Sequence, residues 1–184
     1  MPLPPPAPRA LKHVRRVTYQ GFEREDGLWD IEGELHDSKA YDVTSARSGG
    51  TRRAGEPIHH MWLRVTVDNT LTVQAIAVAM DAHPLRGCTE AQASLQRMVG
   101  CSMARGWRQA IQQHLGGVEG CTHLRELLFN LATAAFQSAT AAFQPASDDL
   151  PPRHLGQCKG WDFSGEGVKE HYPRFYKDKS QIGL

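Results

Sequence analysis

The sequence predicts an α+β fold: a mainly antiparallel sheet, then about three helices, then a C-terminal hairpin. Three observations carry that reading. Apolar and polar residues alternate through the first half, the period turns helical after Pro84, and strand-like runs return after residue 150. No Gly-rich fingerprint joins a strand to a helix, so a nucleotide-binding α/β fold, and with it a nucleotide cofactor, is not expected.

Residues 1–10 read as a polyproline-like arm, expected to be mobile, and 11–184 as a single α+β domain. In LWDIEGELHD, Trp29, Ile31, Gly33 and Leu35 alternate with Asp30, Glu32, Glu34 and His36, the pattern of a half-buried strand. The polar, turn-rich stretch 45–57 reads as a loop. Alternation returns at Met61, Leu63, Val65 and Val67; Asp68-Asn69 makes a turn into LTVQAIAVAM, whose almost unbroken apolar character predicts a more central strand.

Thr89 and Gln92 have capping-box spacing, which predicts a helix to about Val99. A second helix is expected over 102–115, with Met103, Trp107, Ala110 and Ile111 on one stripe and Gly116-Gly117 at its end. A third opens at Thr122, whose hydroxyl can cap it, and carries Leu124, Leu127, Leu128, Leu131 and Ala135 at core spacing. The closing strands are expected near 154–162 and 167–173, joined through Ser164-Gly165-Glu166-Gly167.

The apolar and charged fractions, 40% and 22%, are those of an ordinary globular chain able to build one sizeable core. A formal net charge of +1 gives no global field for nucleic acid or an anionic membrane, so neither is an expected partner. No apolar run approaches a membrane span, and the N-terminus lacks the hydrophobic core of a signal peptide. Four cysteines (88, 101, 121 and 158) do not make a disulfide scaffold. They fit a reducing cytoplasm, where Cys with His points to metal or catalysis.

The chemistry is suggested by a repeat. Gly87-Cys88-Thr89 and Gly120-Cys121-Thr122 are one tripeptide, each ahead of an expected helix. A thiol at a helix entrance faces unsatisfied N–H groups and the positive end of the dipole, which favours the thiolate, both nucleophile and metal ligand. His123 lies in the first turn beside Cys121, and Gly116, Gly117 and Gly120 leave the entrance loop open for a ligand to approach. If the strands after His59-His60 and before Asp81-Ala82-His83 form a hairpin, its open ends bring one of those histidines near Asp81 and His83. Adjacent strand residues face opposite ways, so at most one of His59 and His60 points inward. The expected ligands are Cys88, Cys121 and His123 with one of Asp81, His60 or His83, a set that suits zinc or iron. Asp81 and His123 are the acid–base candidates. Cys101 and Cys158 read as buried small hydrophobes.

The combination HHMWLRVTVD, MDAHPLRGC, GGVEGCTHLRELL and REDGLWDIEGELHD resembles a bacterial family catalogued as domain of unknown function 2889, over roughly residues 14–175. It implies no established activity. A fainter likeness is to iron–sulfur scaffolds of the NifU and SufU type, in which a sheet leads into a Gly-Cys turn and helix. That resemblance implies Cys88 and Cys121 as the first and last thiols, with Cys101 as counterpart of the middle one. Glu90 stands where those proteins carry an aspartate, and His123 has no counterpart.

The expectation is a small-molecule enzyme, a hydrolase or lyase, with a Cys/His site at the two GCT turns. Alternatives are a carrier of metal, iron–sulfur cluster or sulfur, and a structural or interaction module. A homo-oligomer is compatible with all three.

Overall fold

The computed structural model describes residues 3–44, 50–139 and 149–178, which divide into two compact units, Met1–Ser138 and Ala139–Leu184. In the first unit the strands are β1 (His13–Glu23), β2 (Trp29–Lys39), β3 (Val43–Thr44), β4 (Thr51–Arg52), β5 (Pro57–Val67) and β6 (Val73–Ala82). Four of them form an antiparallel sheet in the order β1-β2-β5-β6, while β3 and β4 pair separately. The stretch read as a loop from 45 therefore includes strand β4; residues 45–49 lie outside the described residues.

The alternation has the expected result. Trp29, Ile31 and Leu35 of β2 and Met61, Leu63, Val65 and Val67 of β5 are buried on one face. LTVQAIAVAM, expected to be central, forms the edge strand β6. Its apolar character has a different origin: Val73 and Ile76 face the core, but Ala75, Ala77 and Ala79 are exposed. The turn at Asp68 forms as expected, its Oδ1 accepting hydrogen bonds from the Thr70 and Thr72 amides at 2.8 and 3.0 Å.

The helical half departs more from expectation. Residues 86–98 wind as a 3-10 turn (Arg86–Glu90), one short α turn, α1 (Ala91–Ser94), and a second 3-10 turn (Leu95–Met98). The capping box does not form, because the Thr89 hydroxyl donates back to the Arg86 carbonyl. Leu95 and Met98 are the buried residues of this stretch, and their three-residue spacing suits the 3-10 period better than 3.6. Helix α2 spans Trp107–Leu115, later than expected, after Gly106 in the left-handed region. Helix α3 (Thr122–Ser138) buries the expected stripe, Leu124, Leu127, Leu128, Leu131 and Ala135, and packs on β1, β2 and β5. The first carbonyl of its ladder is that of Cys121, which accepts from the Arg125 amide at 3.0 Å; the Thr122 hydroxyl accepts from the Arg125 side chain instead of capping.

Two glycines set how closely α3 lies on the sheet. Gly33, cross-strand from Tyr19, leaves room for the tyrosine ring, whose hydroxyl donates to the Leu127 carbonyl at 3.1 Å. At Gly21 a Cβ would lie 2.0 Å from Ser138 Oγ and 2.5 Å from its Cβ. Gly21→Ala is therefore expected to lower stability in urea by about 1–3 kcal/mol through overpacking, with most of the loss restored by adding Ser138→Gly. Equal losses in the single and double variants would place the cost elsewhere.

In the second unit the expected hairpin is absent. Lys159–Trp161 is a 3-10 turn, α4 spans Glu166–His171, and Pro173–Phe175 is another 3-10 turn. Asp162 is the reason for the switch. Its carboxylate accepts from the Ser164 amide and hydroxyl, both at 3.0 Å, and its backbone carbonyl from Gly165, so Ser164-Gly165 leads into a helix. The Lys159 ammonium and these bonds hold the Asp162 carboxyl far below the usual carboxylate range. Glu166 in the first turn and Lys169 and His171 in the last match the helix dipole.

Candidate functional site

Strand register draws a line of polar side chains across the helix-covered face. Arg15 of β1 is paired with Asp37 of β2, and Asp37 with His59 of β5. All three share the parity of the core positions Leu35 and Met61, so they continue the buried face one step beyond its apolar part. The first turn of α3 lies over this line. His123 reaches it because it sits four residues before Leu127, on the packed stripe.

Asp37 is the centre of the arrangement and is only 4% exposed. Its Oδ1 accepts from the His59 backbone amide at 3.2 Å and lies 3.0 Å from His59 Nδ1. Its Oδ2 accepts from Arg15 Nη1 at 3.0 Å, with His13 Nε2 at 3.9 Å. Burial works to raise the Asp37 pKa. The His59 hydrogen bond and the charges of His59, Arg15 and His123 outweigh it, and the carboxyl titrates below its ordinary range. Arg15 also pairs with Glu126, one turn along α3 from His123.

The His59 and His123 rings lie face to face, centroids 3.8 Å apart and tilted by 37°. Burial, then the neighbouring His59 and Arg15 charges, push the His123 pKa down, against the opposing pull of Asp37 and Glu126. His123 therefore favours the neutral imidazole that a metal requires. Its Nδ1 is 3.8 Å from Cys121 Sγ. Asp37, His59 and His123 each offer one ligand atom, all within 4.8 Å of one another. Two imidazoles and a carboxylate form a donor set that zinc and ferrous iron accept.

The residues expected from sequence divide between four places. His123 is in this cluster and Cys121 borders it. His60 lies on the opposite sheet face, where Nε2 is 2.9 Å from Glu34 and Nδ1 is 3.8 Å from Asp81. Asp81 also accepts from the Trp62 indole at 3.0 Å. The β5–β6 hairpin does bring His60 and Asp81 together, but on the face away from His123. His83 stays local, its Nδ1 2.9 Å from the Leu85 carbonyl. Cys88 lines a groove of about 620 Å³ together with Cys121.

The expected four-ligand set of Cys88, Cys121, His123 and His60 therefore does not converge, because strand alternation sends His60 outward. Among the described residues the Asp37–His59–His123 group contains no cysteine. Cys88 sits inside a 3-10 turn, not at an α-helix entrance, so the dipole argument applies to Cys121 alone. Cys101 is half-buried and Cys158 exposed, so neither is the buried hydrophobe expected of it. Two glycines of the entrance loop serve the chain's own packing: a Cβ at Gly116 would lie 2.3 Å from the Gln112 carbonyl and one at Gly120 2.7 Å from that of Leu115, while Gly117 serves its left-handed φ of 59°.

Asp37 and Arg15 were missed, and His59 was weighed only as the alternative to His60, although the sequence carried a signal. Counting the apolar parity one step past Leu35 lands on Asp37, and one step back from Met61 lands on His59, not His60. A charged residue at a core parity is the informative observation.

The chain belongs to the family described as Protein of unknown function (DUF2889), whose model matches residues 13–137. That range includes every residue of the cluster. No curated protein and no solved structure matches, so no structural neighbour supports the NifU/SufU likeness. Among the described residues no helix is long and apolar enough to cross a membrane.

Proposed function

We propose that this member of the DUF2889 family is a small-molecule enzyme, a hydrolase or lyase, working through a divalent cation held by Asp37, His59 and His123. The observation that carries the reading is the convergence of three ligand atoms within 4.8 Å on two strands and a helix N-terminus. Three protein ligands leave a coordination position for water or substrate, the arrangement of a catalytic rather than a structural zinc site. A cation there polarises a bound carbonyl or lowers the pKa of a bound water. Arg15 bridges Asp37 and Glu126, which fixes the ligand carboxylate and keeps a second carboxylate nearby for proton transfer.

The cation would displace the proton between His59 Nδ1 and Asp37 Oδ1. Affinity for zinc is expected to fall as pH drops and protons compete for His123, a loss displaced below the ordinary imidazole range because burial lowers the His123 pKa. Asp37 stays ionised because its own pKa is depressed. Calorimetry on protein purified without a His-tag should give one zinc or iron per chain. His59→Ala and His123→Ala should each weaken binding about 10- to 100-fold or more, while His60→Ala leaves it unchanged. Absence of binding, or loss in His60→Ala but not in His59→Ala, overturns the assignment.

The Cys121–His123 contact supports a second, metal-free reading, in which Cys121 is the nucleophile and His123 its base. It requires Cys121 alkylation to accelerate with a His123-dependent pH profile that zinc does not alter. A metal carrier, the remaining alternative, would release zinc rapidly to a protein acceptor, whereas a catalytic site retains it.

A further inference from the structure

The groove between the two GCT turns is lined by none of the three candidate ligands, yet it shares a neighbour with them. Cys121 lines the groove, and its sulfur is 3.8 Å from His123 Nδ1. Cys88 lines the same groove, which gives the repeated tripeptide a common location without making both thiols ligands.

The lining has a definite chemical character. Leu85 and Val118 are 60% and 101% exposed, and Ala91 and Ala93 lie between the turns. The one lining guanidinium, Arg97, is already committed: Nη1 donates to Glu119 at 2.9 Å and to the His114 carbonyl at 3.3 Å. With Glu90 also present, no uncompensated positive charge is left for a phosphate or a nucleotide. A volume of about 620 Å³ is within the range of small-molecule pockets. Leu85 and Val118 thus give the groove an apolar rim next to Cys121.

We propose that this groove holds the uncharged apolar body of the substrate, placing an oxygen-donor head, a carbonyl or carboxylate, at the Asp37–His59–His123 cation. The inference rests on the cation reading and adds the substrate class: an elongated, unphosphorylated small molecule with one chelating oxygen group.

Two hydroxamates with the same metal-binding head and different tails test it on the zinc-loaded protein. Octanohydroxamate should bind at least about tenfold more tightly than acetohydroxamate, as expected when two or three methylenes leave water. Val118→Asp and Ala93→Trp, both at exposed positions, should reduce that ratio to about twofold or less and leave acetohydroxamate affinity unchanged. Equal affinity for the two hydroxamates in the wild-type protein overturns the groove and spares the cation site.

If the protein takes up no zinc, the cation reading fails, and the groove is judged separately. Sodium octanoate should then slow alkylation of Cys88 and Cys121 severalfold but not of the exposed Cys158. No protection overturns the groove as well.

Discussion

Asp37→Ala is expected to lose cation binding altogether and to destabilise the metal-free protein by about 2–3 kcal/mol. Removing one partner of a fully buried ion pair costs roughly 3–5 kcal/mol, because the other charge is left without compensation. Here Arg15 retains 27% side-chain exposure and a second partner in Glu126, so part of its charge can turn to water and the loss is smaller. Asp37→Asn keeps the shape and one acceptor, and should recover part of the stability without recovering the cation. Urea melts with and without zinc separate the two effects. His123→Ala should leave the zinc-free melt nearly unchanged while abolishing the rise that zinc gives the wild type. A loss in zinc-free His123→Ala as large as that of a buried leucine would make His123 a core residue and remove the site's helix-borne ligand.

Leu127→Ala sets that scale. Leu127 is 1% exposed on the stripe of α3 that packs against β1, β2 and β5. Truncation forfeits transfer free energy and leaves a cavity, for a loss of about 2–5 kcal/mol. Because Leu127 lies one turn after His123, the truncation also loosens the helix end that carries the ligand. Zinc affinity should therefore fall in the variant even though no ligand has changed. Unaltered zinc affinity at reduced stability would show that the first turn of α3 is held independently of the helix body.

What the sequence made legible follows from which signals are local. The period-two pattern of β2 and β5 and the leucine spacing of α3 each state which side is buried, and the sheet and its covering helix obey them. The position of β6 could not be read, because alanines on a solvent face look like a buried run. The C-terminal hairpin failed through a competing local bond: Asp162 caps the chain into a helix where alternation alone suggested a strand. Thr89 shows the same competition in reverse, with a capping residue that bonds backward to Arg86.

The candidate site was half legible. Cys121 and His123 stand out because they are two residues apart and open a helix. Asp37 and His59 are 22 residues apart and meet only through the cross-strand register of β2 and β5. Local patterning gives each residue's face, but no local signal gives its partner.

A centre strung across three strands in register, instead of being gathered on one loop, has a consequence for hydrogen exchange. A loop-borne ligand cage can open while the body of a domain stays closed, so its amides exchange by small local fluctuations. Arg15, Asp37 and His59 sit on β1, β2 and β5, and a one-residue slip between any two of these strands turns one of them to the opposite face. A cation held there would be released only when strands part or α3 lifts. Its binding free energy should then appear as slower exchange of the sheet amides, with occupancy of the site and cooperative opening of the fold becoming one event.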